Sequence, residues 1–195
     1  HYPLRRQRQM CIRDSLVTAG DLIDNGPDAY AVVELMLQRM FMGQASGIMG
    51  NHEWKIIRWL RGRDVKLSGP NYPTIEAMEK HPSLKDMFAR YAEKLEFQMK
   101  LSDNMFVAHA AVKPEWWIDR KDTRRSNEYN MYGNSDSSNM IEFRGQQYPN
   151  RLYNWVDDVP EGVKLFVGHD PRPMVGIPDF DNFQATPLSV KNKQG

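Results

Sequence analysis

Four short segments carry the residue types that hold cations and move protons: Gly20-Asp21-Leu22-Ile23-Asp24-Asn25-Gly26, Gly50-Asn51-His52-Glu53, Ala108-His109-Ala110 and Gly168-His169-Asp170. Each follows directly on a stretch that reads as a strand. In an α/β sheet, loops at the carboxyl ends of different strands converge, so ligands distant in sequence can share one pocket. Taken singly these segments say little, since a His after a strand is ordinarily a turn residue and an Asp after Gly a turn or cap. Together they say more. The tetrapeptide GNHE is expected by chance on the order of once per thousand chains of this length. Here it follows a GDxxD pattern and precedes two strand-end histidines; only His1 and His81 lie elsewhere.

The elements that must position these residues are readable in outline. Leu16 to Ala19 reads as the end of a strand that runs straight into Gly20-Asp21. Pro27 then stands where a helix tolerates it best. Asp28 to Met42 carries Val32, Val33, Leu35, Met36, Leu37 and Met40 at helical spacing, which predicts a helix covering a sheet. Ala45 to Met49 reads as a short strand, and Glu53 to Arg61 as a helix with Trp54, Ile57 and Leu60 on one face. Thr74 to Lys80 and Ser83 to Leu95 read as helices of an insert, the second opened by Pro82-Ser83 with Asp86 three residues on, as in a capping box. Phe97 to Leu101 and Met105 to Ala108, around Ser102-Asp103-Asn104, predict a hairpin. Glu128 to Asn150, rich in Asn, Ser, Gly, Gln and Tyr, reads as a long loop. Val163 to Val167 reads as a last strand. Strands alternating with helices predict an α/β sheet architecture with one antiparallel element.

The first fifteen residues are set apart from this pattern. Arg5 to Ser15, RRQRQMCIRDS, back-translates without a gap into a transposon-end sequencing adapter, so residues 1–15 are read as non-native and 16–195 as one incomplete domain. Without residues 1–15, which hold four arginines and one aspartate, the formal charge moves from +1 to −2. Neither value calls for a nucleic-acid backbone partner, which usually brings a strong basic excess. The one cysteine, Cys11, lies in this segment, so disulfides are not expected to hold the fold, and a cytoplasmic location is the expectation. No apolar run approaches the ~20 residues of a membrane-spanning helix.

On these motifs the chain resembles the calcineurin-like metallophosphoesterases, in the branch of serine/threonine protein phosphatases and diadenosine tetraphosphatases. The resemblance runs over essentially all of 16–195. GDLIDNGPD, GNHEWKIIRWLRGRDV, MFVAHAAV, MYGNSD and YNWVDDV before LFVGHDPRP add a likeness to the phosphatase domain of bacterial polynucleotide kinase-phosphatase. The resemblance implies a β-sandwich flanked by helices, here truncated at both ends, and two divalent metal ions, Mn first, with Fe, Zn or Ni as alternatives. It implies that Asp21 bridges the metals, that Asn51, His109 and His169 complete the second metal's shell, and that His52 is a general acid oriented by Asp24. Donors of these types suit such ions. The family's opening Asp-x-His pair would lie before Leu16. Where the family usually has Arg after the second Asp of GDxxD, this chain has Asn25, with Arg61 or Arg63 as substitute contacts to substrate phosphate.

The activity implied is hydrolysis of a phosphate ester on a nucleotide, a nucleic-acid end or a phosphoprotein. Its alternatives are a dinucleoside polyphosphate hydrolase and, in another class, a non-catalytic binding module on the same scaffold. Trp116-Trp117 offers a surface for base stacking, against the more ordinary role of packing. Tyr129 to Tyr132 reads either as pocket lining or as a lid.

Overall fold

In the computed structural model, which describes residues 15–113, 123–143 and 146–169, strand β1 (Leu16–Thr18) pairs in parallel with β2 (Ala45–Gly47), Leu16 opposite Ala45 and Thr18 opposite Gly47. Parallel neighbours need a crossover, and helix α1 (Ala29–Phe41) supplies it. Asp28 caps α1 by accepting a hydrogen bond from the Ala31 amide at 2.9 Å, so the predicted span from Asp28 shortens by its cap. The face α1 buries is Ala29, Val33, Met36 and Leu37; Leu35 stays outside. Burial of each large side chain on that face contributes roughly 1.5–3 kcal/mol.

Helix α2 (Asn51–Leu60) begins two residues before the predicted start, which puts Asn51, His52 and Glu53 in its first turn. Helices α3 (Tyr72–Lys80) and α4 (Ser83–Ala92) follow, with a 3₁₀ turn at Gly69–Asn71 leading into α3. The capping box expected from Ser83 and Asp86 does not form. Pro82 takes the N-cap position, where it has no side-chain acceptor to offer, and Ser83 is already helical. Helix α4 packs on α1 and α2, and its Leu84, Phe88 and Tyr91 are fully buried. Ile48 bridges in parallel to Glu96. These elements make one compact unit that ends at Glu96.

A second unit starts at Phe97. Strands β3 (Gln98–Ser102) and β4 (Met105–Ala108) form the expected hairpin, Gln98 opposite Ala108, with an irregularity between Lys100 and Ser102. Strand β7 (Lys164–Phe166) adds in parallel to β4. The long loop expected over Glu128 to Asn150 is instead helix α5 (Arg124–Tyr132) and an antiparallel hairpin, β5 (Asn134–Phe143) with β6 (Gln146–Leu152). Thr123 caps α5, accepting from the Ser126 amide at 3.2 Å, and Gly133 leaves the helix with φ 66°. The hairpin is held by its backbone ladder, which needs no apolar alternation. Buried residues of this unit include Val107, Ala108, Ala111, Val112, Met131 and Trp155. The mixed α/β class holds. No helix among the described residues is long and apolar enough to cross a membrane. Trp116 and Trp117 lie outside the described residues.

Candidate functional site

The chain leaves β1 in a loop of unusual backbone geometry. Asp21 (φ 57°) and Asp24 (φ 78°) both occupy the left-handed region, which costs a non-glycine residue on the order of 1–3 kcal/mol and persists only where the surroundings over-determine it. For Asp21 the determinant is Glu53. This side chain is fully buried, and its two oxygens accept from the Asp21 amide (2.9 Å) and the Leu22 amide (2.7 Å). Burial and the nearby Asp21 charge push the Glu53 carboxyl up, while those amide hydrogen bonds pull it down less. Gly50, the N-cap of α2, permits the close approach: a Cβ there would overlap Asp21 Oδ1, the Asp21 amide nitrogen and Glu53 Oε2. Asp21 Oδ1 in turn accepts the His52 amide at 3.1 Å, an anion at the start of a helix.

His52 and Asp24 meet directly. His52 Nδ1 stands 2.6 Å from Asp24 Oδ2; a carboxylate only accepts, so Nδ1 carries the proton. The other ring nitrogen, Nε2, lies 4.0 Å from Asp21 Oδ2. Burial lowers the proton affinity of His52, but the Asp24 hydrogen bond and the charges of Asp21, Asp24 and Glu53 together outweigh it, and the net pKa is raised. Asp24 has further partners: Thr74 Oγ1 donates to its Oδ1 at 2.6 Å, and Asn71 Nδ2 donates to its Oδ2.

In the second unit, His109 follows β4 and is fully buried. Its loop is held from two sides: the Ala110 amide donates to the Asn130 carbonyl of α5 at 2.7 Å, and the Gly168 amide donates to the His109 carbonyl at 2.8 Å. The second bond brings up His169, itself left-handed at φ 72°. His109 Nε2 and His169 Nδ1 are 3.0 Å apart, with ring planes at 72°. Two nitrogens bound cis to one divalent ion at about 2.1 Å each would stand about 3 Å apart, so this pair fits a shared ion. The same spacing lets one neutral ring donate to the other.

Of the predicted residues, the first unit brings together Asp21, Asp24 and His52, with Asn51 beside them as the opening residue of α2. The second unit brings together His109 and His169. Asn25 is exposed beside Asp24, its amide bonded to the Ile23 carbonyl. Arg61 and Arg63 are exposed beyond the C-terminal end of α2, nine and eleven residues past His52. Tyr129 and Tyr132 belong to α5 rather than to a loop. Glu53, Asn71 and Thr74 are the residues that reading the sequence missed. Glu53 was visible in GNHE, but its use depends on a helix start at Asn51. Asn71 and Thr74 stand at a helix start, where polar residues ordinarily signal only a cap.

Residues 9–193 match the calcineurin-like phosphoesterase family. Among curated relatives, the protein named asymmetrical bis(5'-nucleosyl)-tetraphosphatase PrpE is 32% identical in Oceanobacillus iheyensis, over 80% of this chain and 62% of the relative. Its namesake in Bacillus velezensis is 30% identical, over 83% and 65%. That of Bacillus subtilis is 27% identical, over 80% and 64%. The chain thus spans less than two-thirds of the length of these relatives.

Proposed function

We propose that this chain, which belongs to the calcineurin-like phosphoesterase family, serves to hydrolyse a phosphate ester by in-line attack of water, with His52 protonating the leaving oxygen. The observation that carries this reading is the His52–Asp24 contact at 2.6 Å. With Nδ1 engaged, Nε2 is the nitrogen that can deliver a proton, and the Asp24 hydrogen bond and the nearby carboxylate charges, which outweigh burial, raise the pKa of the ring and so favour its protonated form. As the new bond forms between water oxygen and phosphorus, the bond from phosphorus to the leaving oxygen breaks and that oxygen takes the Nε2 proton; the attacking water gives up one proton to solvent, from which His52 is reprotonated before the next turnover. Asp24 holds the ring and stabilises its charge before transfer.

The family uses divalent metals. Asp21, Asn51, His109 and His169 are the residues proposed to hold them, with Mn first and Fe, Zn or Ni as alternatives. When bound, two such ions lower the pKa of a water and stabilise charge on the phosphoryl group. Glu53 fixes Asp21 for this task by its hold on the backbone. Asn25, Arg61 and Arg63 remain the proposed phosphate contacts.

For substrate, the names of the relatives favour a dinucleoside polyphosphate over a nucleic-acid end or a phosphoprotein. Asn25 agrees with this preference, since it lacks the forked guanidinium that grips a terminal phosphate. The test uses protein expressed from its complete gene, stripped with chelator and assayed with and without Mn. The substrates are an aryl phosphate and diadenosine tetraphosphate. Turnover restored by Mn and lost in Asp21→Asn is expected, with ATP and AMP as the products of asymmetrical cleavage. A folded, metal-loaded protein that turns over neither substrate would instead be the binding module.

A further inference from the structure

We propose that Asn71 and Thr74 are positioning residues that lock the Asp24 carboxylate, and through it the His52 ring; the proposal rests on the reading of His52 as the leaving-group acid. Asp24 is an awkward residue to hold still. Its backbone sits at φ 78° and its side chain is wholly buried. A carboxylate turns easily about its last torsion, and any turn would swing the oxygen that His52 Nδ1 meets at 2.6 Å.

Two neighbours remove that freedom. Thr74 Oγ1 donates to Asp24 Oδ1 at 2.6 Å and accepts from the Asp24 amide at 3.0 Å, so one hydroxyl ties the carboxylate to its own backbone. Asn71 Nδ2 donates to Oδ2, the oxygen that His52 also uses. The amide cannot be reversed, because its Oδ1 faces Lys55 Nζ (3.2 Å) and the Ser68 amide (3.0 Å), which can only donate; Ser68 Oγ (3.2 Å) donates to it as well. The Lys55 charge polarises Asn71 toward Asp24. Asn71 and Thr74 are each about 1% exposed. Both carboxylate oxygens are thus anchored, Oδ1 by Thr74 and Oδ2 by Asn71, which fixes the carboxylate plane and with it the oxygen that His52 Nδ1 meets.

A purely structural role would make the same contacts, since buried polar groups are normally satisfied. The two differ in what they predict for His52. In metal-free protein expressed from its complete gene, the His52 Nδ1 proton should give a far-downfield NMR resonance, assigned by its absence in His52→Asn. Thr74→Val, nearly isosteric, should broaden or shift that resonance upfield, and Thr74→Ser should restore it. Asn71→Ala gives the second reading should Thr74→Val fail to fold. In the metal-loaded enzyme, the rate on an alkyl phosphate relative to an aryl phosphate should fall about tenfold in Thr74→Val, a part of the 10²–10⁴ range of general acid catalysis, and recover in Thr74→Ser. A resonance and a leaving-group ratio unchanged in folded Thr74→Val and Asn71→Ala would overturn the proposal. If His52→Asn itself slows both esters equally, the acid reading falls, while the resonance still reports whether the two residues hold the ring.

Discussion

At the scale of single residues, His52 carries a stability consequence separate from catalysis. Its pKa in the folded, metal-free protein lies above the ordinary 6.5, because burial, which lowers it, is outweighed by Asp24, Asp21 and Glu53. Above pH 6.5 the unfolded chain loses the imidazole proton while the folded chain keeps it. The contribution of His52 is therefore complete below 6.5 and is lost as pH rises through the folded value. Urea unfolding of metal-free protein should show stability declining over that window, and His52→Asn should flatten the decline. An identical slope in the variant would mean that the ring is not held as described. Glu53 illustrates a different point. It is fully buried yet serves two backbone amides of a strained loop, so its part is to shape the Asp21 turn.

At the scale of elements, the joint between the GDxxD loop and α2 is where sequence and geometry meet most tightly. Gly50→Ala would drive a methyl group into Asp21 and Glu53, and neither is the free end of a flexible surface chain. It should cost about 1–3 kcal/mol, as other insertions into packed sites do. Gly26→Ala, where open space surrounds the position, should cost much less; equal urea midpoints for the two would refute the tight joint. The elements on either side of this joint were legible in outline, with α2 read as starting two residues late, at Glu53 and not at Asn51. The apolar periods of α1 and α2 are local signals, and local signals survive in one sequence. The β5–β6 hairpin was not legible, because Ser, Asn and Gln give no alternation and its order comes from backbone pairing between the two strands. Nor were Asn71 and Thr74, whose role arises from contacts to Asp24 across 47 and 50 residues. His109 and His169 were legible as candidates, whereas the amide bonds that bring them to 3.0 Å were not.

For the molecule as a whole, the three strained non-glycine residues among those described, Asp21, Asp24 and His169, give folding a cost that ligand binding can offset. Anything that binds the folded state alone stabilises it by mass action, about 2.7 kcal/mol at a hundredfold excess over Kd. In a chain of this size each kcal/mol moves the melting midpoint by about 2–4 °C. Adding Mn to stripped protein should therefore raise the midpoint by roughly 5–10 °C. His109→Ala lowers the midpoint by itself, since it empties a buried site, so the informative quantity is the Mn-induced rise and not the absolute value. That rise should shrink in His109→Ala and in His169→Ala, with metal stoichiometry falling in parallel. A full rise and unchanged stoichiometry in both variants would remove the histidine pair from the proposed ligands and leave their 3.0 Å contact as a hydrogen bond between the two rings.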